Sequence, residues 1–180
     1  MDKNELRGMI FTKLKLLPDF SRRRQSLELI EKLKQLPVFQ KSKNILLYVS
    51  KNYEVETHTL IHDCLKTKNV FLPKVNKEKD VLQLYELKKW EDLQPGPFSI
   101  LEPPETKKVS LSHIDLVIVP AIAFTKEGNR LGHGKGYYDK LFASSKKIPY
   151  TIGLALNEQI VEEIPVEKHD YKVDLVLTTY

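Results

Sequence analysis

The chain has seven glycines, and four of them (Gly128, Gly132, Gly134 and Gly136) fall in Phe124-Thr-Lys-Glu-Gly128-Asn-Arg130-Leu131-Gly132-His133-Gly134-Lys135-Gly136-Tyr137-Tyr138-Asp139. Glycine is costly to order and is placed where the backbone takes positive φ or where something approaches the main chain closely. The run follows an apolar stretch, Ile114 to Phe124, that reads as a buried strand, and leads into Tyr137 to Phe142, which reads as a helix start. Strand, glycine-rich turn and helix in that order point to an α/β fold with the turn at a strand's carboxyl end, where such folds bind ligands.

The residue types in the turn narrow the ligand. Successive backbone N–H groups at a strand-to-helix turn, together with the positive end of a helix dipole, make an anion site. Arg130 and Lys135 add cations, and phosphate suits such a mixture. Asp139 is a hard oxygen ligand just beyond, where a phosphate-bound Mg²⁺ would sit. These features suggest a nucleoside triphosphate or a similar polyphosphate; a glycine-rich surface turn with no ligand is the alternative. A Walker A loop ending on Lys135 needs glycine at Asn129 and a hydroxyl at Gly136, so that motif is excluded. A dinucleotide fingerprint is excluded too, because the glycines run G-x-G-x-G.

At 180 residues, 41% hydrophobic and 29% charged, the chain fits one globular domain over 1–180 with a sizeable core. No apolar run approaches a membrane span and Met1 to Arg7 lacks a signal-peptide core, so a cytoplasmic protein without a membrane partner is expected. Cys64 is the sole cysteine, which excludes an intrachain disulfide. The net charge of +5 invites a nucleic-acid reading, but the basic residues are dispersed among acids. An anionic small-molecule substrate accounts for the balance, and no nucleic-acid partner is expected.

Asp2 and Glu5 form a capping-box pattern ahead of Leu6, Met9, Ile10, Leu14 and Leu17, which predicts a helix stopping at Pro18. Lys3 and Arg7 lie four apart on one face of it, as a solvated edge or as ligands. Leu27, Ile30, Leu33, Lys34 and Leu36 suggest a second helix ending before Pro37. Asn44 to Val49 reads as a strand, Tyr53 to Thr57 as a polar loop, Leu60 to Leu65 as a helix and Asn69 to Pro73 as the next strand, completing β-α-β. Val81 to Leu87 alternates like an antiparallel edge strand, and the proline-rich stretch from Gln94 to Pro104 reads as a fixed extended loop. Further on come a strand at Tyr150 to Ala155, a helix from Glu158 to Ile164 and a last strand from Val173 to Thr178. The resulting class is α/β, a single three-layer α/β/α domain with a mostly parallel, Rossmann-like sheet. Glu54 and Glu56 allow acid–base, metal-binding or plainly solvated roles. His58, His62 and Cys64 lack the motif and the second cluster of a zinc site and read as ordinary boundary residues.

Val119-Pro120-Ala-Ile-Ala-Phe124 followed by Gly128 to Asp139 resembles the signature of the 5-formyltetrahydrofolate cyclo-ligase family, also called methenyltetrahydrofolate synthetases. The resemblance extends from Lys3 to about Thr178 and implies the family's fold and its reaction, the ATP- and Mg²⁺-dependent cyclisation of 5-formyltetrahydrofolate. On that resemblance Lys3, Arg7, Arg130, Leu131, Gly132, His133, Gly134, Lys135, Gly136, Tyr137 and Tyr138 would hold ATP, with Arg130, Lys135 and Tyr138 closest to the chemistry. Glu54 matches the acid that binds the pterin, and Val49, Phe98 and Tyr137 would line the folate pocket. Asp139 and Asp174 would serve Mg²⁺, directly or through water. The implied partners are ATP and 5-formyltetrahydrofolate, with or without a polyglutamate tail, and the implied state is a monomer. Two positions depart from the pattern: Ser99 stands where glycine is usual, and His133 where arginine is usual. A non-catalytic nucleotide- or RNA-binding relative, or a ligase for another substrate, is the competing class. The joint presence of Glu54, Lys135, Asp139 and Asp174 argues against it.

Overall fold

The computed structural model describes residues 1–180 apart from the side chain of Phe98. The expected contact of Phe98 with folate therefore lies outside the described residues. Helix α1 spans Lys3–Leu16. Its capping box is formed: the Asp2 carboxylate accepts the Asn4 and Glu5 amides at 2.7 and 2.9 Å, and Glu5 accepts the Asp2 amide at 2.7 Å. Pro18 ends α1 and directly precedes α2, Asp19–Gln35, which begins well before the expected apolar stripe. Leu27, assigned to that stripe from sequence, is 56% exposed; Ser26, Leu29, Ile30 and Leu33 face inward instead. A short helix α3, Pro37–Lys41, follows.

Strand β1 (Asn44–Leu46), helix α4 (His58–Thr67) and strand β2 (Asn69–Asn76) form the expected β-α-β unit. Then come β3 (Val81–Leu87), β4 (Gln94–Pro95), β5 (Leu101–Glu102), β6 (Lys108–Val109) and β7 (Leu116–Val119). After them lie β8 (Ala123–Phe124), β9 (Arg130–Leu131), helix α5 (Tyr137–Ala143), β10 (Tyr150–Leu154) and β11 (Leu175–Leu177).

The main sheet has the order β11-β10-β7-β1-β2-β3-β6. The five strands from β11 to β2 are parallel, and β3 and β6 are antiparallel. β3 is antiparallel as expected, but β6 covers its outer side. Successive strand residues face opposite sides of a sheet, and the core divides accordingly. Ile45, Leu47, Leu72, Leu116, Ile118, Ile152 and Leu154 pack with residues of α1, α2 and α4. Leu46, Phe71, Val117 and Val119 pack with Leu141 and Phe142 of α5. Both faces are covered, which is why these strands read as unbroken apolar runs. Truncating one of them, such as fully buried Leu46, to alanine costs about 2–5 kcal/mol.

Two expectations fail for local reasons. The apolar run from Ile114 to Phe124 is not one strand. β7 stops before Pro120, which has no N–H for the ladder, and β8 turns back to pair with β9. The stretch from Glu158 to Ile164 is not a helix; only Asn157–Gln159 makes a short 3₁₀ turn. Beyond it the Val161 amide donates to Phe124 O at 2.9 Å, so β8 captures the backbone that a helix would have used. Phe124 itself lies against Gly153 of β10, where any Cβ would collide with the ring.

Candidate active site

β1 and β7 are neighbours at the middle of the sheet, and the chain leaves them in opposite directions. From β1 it crosses through α4 to β2 on one side; from β7 it crosses through α5 to β10 on the other. In doubly wound sheets such a reversal leaves a crevice outside the carboxyl ends of the two strands, and that is where ligands bind. The segment after β1 brings Val49 and Glu54 to this crevice, and the segment after β7 brings the glycine loop.

The loop opens as a hairpin. Gly128 has φ +99°, a conformation that costs a side chain, and a Cβ there would strike Val173 O. Val173 N in turn donates to Gly128 O at 2.9 Å, which ties the hairpin to the strand approaching β11. Arg130, 8% exposed, points inward rather than to solvent. Its Nη2 donates to Asp139 Oδ1 at 3.0 Å and its Nη1 to Pro120 O at 3.4 Å, while Cζ lies 5.6 Å from the Tyr138 ring centre. Arg130 Nε is buried without a partner among the described residues. An orphan donor of that kind costs free energy until an acceptor arrives. Asp139 Oδ1 also accepts the Tyr171 amide at 2.9 Å. Leu131 belongs to the core, so only its main chain is left for a ligand.

From Gly132 onward the loop rises to the surface, and α1 supports it. Arg7 Nε donates to Gly132 O at 2.9 Å, and the guanidinium lies beside Gly134. Gly134 and Gly136 both have positive φ, and Gly136 starts α5 without a side-chain cap. α5 has only seven residues, so its dipole contributes less than the sequence suggested and the side-chain cations contribute more. Lys135 is exposed and makes no hydrogen bond or ion pair among the described residues. Tyr137 donates to Asp80 Oδ1 at 3.0 Å and Lys140 donates to Asp80 Oδ2 at 2.7 Å, which clamps the β2–β3 turn onto α5. These bonds, with Lys140 the larger contributor, hold the Asp80 carboxyl below its usual range.

Lys3 is not at the loop in this state. Its ammonium pairs with Asp170 at 2.6 Å and Glu167 at 2.9 Å. Burial alone would lower the Lys3 pKa, but the two acids outweigh it and raise it. A phosphate reaching Lys3 would share the ammonium with these carboxylates or displace them.

The acid side of the crevice is a stapled turn. Glu54 Oε2 accepts the Lys51 amide at 2.8 Å, and Oε1 faces His133 Nε2 at 3.3 Å. Thr57, fully buried, exchanges hydrogen bonds with Ser50 (3.0 Å each way) and donates to Tyr48 O, holding the two ends of the turn together. Tyr48 and Tyr138 both lie within electrostatic reach of the carboxylate, and the Tyr48 hydroxyl donates to Val55 O at 3.3 Å. Burial, and then the negative charge of Glu54, pushes both phenols well above the ordinary range, so each stays a donor. Val49 is buried at the end of the strand path, next to this turn. Sequence reasoning missed Tyr48, Thr57 and Asp80. Tyr48 sits inside an apolar run and carries no local sign of a site.

Asp174 lies elsewhere. It precedes β11 at the amino edge of the sheet, where its Oδ2 accepts the Thr151 amide and hydroxyl, both at 2.8 Å. Asp139 bonds to the Tyr171 amide, whereas Asp174 acts on the Tyr171 phenol, whose pKa is raised by burial and then by Asp174. The two proposed metal ligands thus flank one tyrosine. Among the described residues no three His, Cys, Asp or Glu side chains group to hold a metal. His62 stacks on Trp90 with ring centres 4.6 Å apart, and His58 lies tilted against the same ring at 5.0 Å. Burial pushes the Cys64 thiol up to about 12, leaving it inert. Among the described residues no helix is long and apolar enough to cross a membrane.

The sequence model of the 5-formyltetrahydrofolate cyclo-ligase family matches residues 1–179. A 5-formyltetrahydrofolate cyclo-ligase of Mus musculus is 36% identical, over 97% of this chain and 92% of its own length. The NMR structure of the 5,10-methenyltetrahydrofolate synthetase of Aquifex aeolicus superposes with a TM-score of 0.89 at 38% identity, covering 99% of this chain and 90% of that one. A synthetase structure from Mycoplasma pneumoniae, 24% identical and covered in full, shares the fold with a TM-score of 0.81. With a crevice at the β1/β7 reversal, an acid turn on one side of it and a cation-bearing glycine loop on the other, the chain belongs to the 5-formyltetrahydrofolate cyclo-ligase family.

Proposed function

We infer that this protein converts 5-formyltetrahydrofolate to 5,10-methenyltetrahydrofolate with ATP, releasing ADP and phosphate. The observation that carries the reading is the meeting of two half-sites in one crevice. Glu54, which suits a pair of pterin N–H donors, stands 3.3 Å from His133 of a loop suited to phosphates.

An N-formyl carbon is a poor electrophile because N5 donates its lone pair into the carbonyl, and its oxygen is a poor leaving group. Transfer of the γ-phosphoryl to that oxygen corrects both faults. The N10 lone pair then forms the new C–N bond, the C–O bond breaks with its electrons going to phosphate, and N10 gives up its proton. The nucleophile is part of the substrate, so the protein's task is positioning and charge stabilisation. In this reading Lys135 and the amides of Gly132, His133, Gly134 and Gly136 receive the terminal phosphates, with Arg7 beneath them. Arg130 offers its orphan Nε and fixes the loop through Asp139. Tyr138 supplies a protonated phenol between the half-sites, Tyr137 borders the formyl region, and Glu54 and Val49 hold the pterin. Asp139 keeps a second carboxylate oxygen, and one or two carboxylates with substrate phosphates are the donors Mg²⁺ prefers. When bound, Mg²⁺ would neutralise phosphate charge; Asp139 is the candidate ligand, whereas Asp174, tied to Thr151 at the amino edge of the sheet, lies away from the phosphates.

The test is purified protein with Mg-ATP and 5-formyltetrahydrofolate, following methenyl absorbance and ADP together. Equal amounts of both products are expected. ATP binding with no methenyl product would overturn the reading.

A further inference from the structure

Both oxygens of Glu54 are engaged, Oε2 by the Lys51 amide at 2.8 Å and Oε1 by His133 Nε2 at 3.3 Å. A carboxylate that accepts two parallel N–H donors presents both oxygens to them, so a pterin and His133 compete for Oε1. We propose that His133 is a positioning residue that holds Glu54 until substrate arrives, and so couples the glycine loop to the folate pocket. The inference rests on the assignment of Glu54 to the pterin made above.

The placement of His133 equips it for exchange. Its side chain is 56% exposed while that of Glu54 is 16% exposed, so the acid is fixed and the imidazole is the movable partner. It lies between Gly132 and Gly134, and Gly134 has φ +100°. The base of the loop is held by the Arg7 bond to Gly132 O, and the Phe11 ring stands 6.5 Å from the imidazole in a tilted arrangement. Turning the imidazole from Glu54 toward bound phosphates therefore needs no movement of the core.

The charge shown against the imidazole is Glu54 on the turn after β1, while Arg7 of α1 bonds the adjoining Gly132 carbonyl and exposed Lys135 follows two residues along the loop. The Tyr48 and Tyr138 phenols within reach of Glu54 stay neutral. A protonated imidazole makes the Glu54 contact an ion pair. Lower pH therefore strengthens the competitor and weakens folate binding. Nucleotide phosphates attract the same ring, release Glu54 and strengthen folate binding.

The experiment is calorimetric titration of 5-formyltetrahydrofolate into wild type, His133→Ala, His133→Gln and Glu54→Gln at about pH 6 and pH 8. It is repeated at the higher pH with a non-hydrolysable ATP analogue. In wild type the affinity should fall roughly two- to fivefold at the lower pH, the range of a partly exposed ion pair. The analogue should restore it by a similar factor. His133→Gln keeps a neutral contact and should lose the pH dependence; His133→Ala should bind folate more tightly and ignore the analogue. If Glu54→Gln loses folate while His133→Ala matches wild type at both pH values, the coupling is wrong and the pterin assignment stands. If Glu54→Gln binds folate like wild type, the assignment and the coupling fall together.

Discussion

Arg130 and Lys135 lie on one loop and in the sequence look like two copies of the same thing, a cation beside glycines. The structure separates them. Arg130 is turned into the protein, where its side chain is 5% exposed and pairs with Asp139, itself 14% exposed. Lys135 stands in solvent with no hydrogen bond or ion pair among the described residues, and its charge contributes only weakly to the field around Asp80. The inner half of the loop is therefore held in place by its own buried pair before any ligand arrives, and the outer half stands open to a ligand. A buried pair is rigid because losing either partner strands a charge in low dielectric. An exposed lysine is available because water is its only competitor.

The contrast breaks first if Asp139→Ala leaves the protein intact. Read from sequence alone, that change removes a metal ligand; read from the structure, it orphans a buried guanidinium. Thermal unfolding should show a loss of about 3–5 kcal/mol, and a near-wild-type melting temperature would place Arg130 among the ligands only. Lys135→Ala should do the reverse, lowering methenyl-folate formation by roughly a hundredfold with stability within about 0.5 kcal/mol of wild type. Comparable losses of stability in the two variants would erase the distinction.

Glu54→Gln tests the opposite wall of the crevice. Loss of the charge-assisted bonds to the pterin should weaken 5-formyltetrahydrofolate roughly tenfold while ATP affinity holds. Equal weakening of both ligands in calorimetry would mean that Glu54 shapes the crevice rather than one half of it.

Lys3 belongs with the inner group by its pairing, although the family resemblance puts it with the ligands. Burial would raise the Asp170 carboxyl, but the Lys3 ammonium and the Glu167 amide outweigh that and hold it below the usual range. A depressed carboxyl stabilises the fold above its unfolded pKa, about 3.9 for aspartate. That contribution is lost as pH falls through the lower, folded value. Lys3→Met should therefore cost about 1 kcal/mol at neutral pH, and should cost nothing once Asp170 is protonated. A penalty in acid unfolding curves that persists below that range would deny the pairing. An effect of similar size but opposite sign is expected at Ser99, which has φ +59° where the family resemblance expects glycine. Ser99→Gly should relieve strain and raise stability by about 1 kcal/mol; a loss would show that the serine hydroxyl outweighs the backbone.

Much of this was legible without coordinates, for identifiable reasons. The capping box at Asp2 and Glu5 is a local code and is formed as read. The paired apolar runs at Asn44 and Asn69 became parallel neighbours because a helix of suitable length separates them. The places where reading failed are those where distant backbone intervened. Glu158 to Ile164 has helical composition, yet Phe124 O takes the Val161 amide. The strand reading of Ile114 to Phe124 ran through Pro120, and the second half joined a hairpin with β9 instead of the main sheet.

At the site the division is the same. The amino-acid order alone determined that a glycine loop with cations would stand between a strand and a helix, and its run of residue types was specific enough to place the family. Only the tertiary structure decided which cation faces in and which faces out, that Lys3 is engaged by acids more than 160 residues away, and that His133 meets Glu54. The physical reason is that a residue type fixes what charge or hydrogen bond a side chain can offer, whereas burial and partners are set by segments remote in the chain.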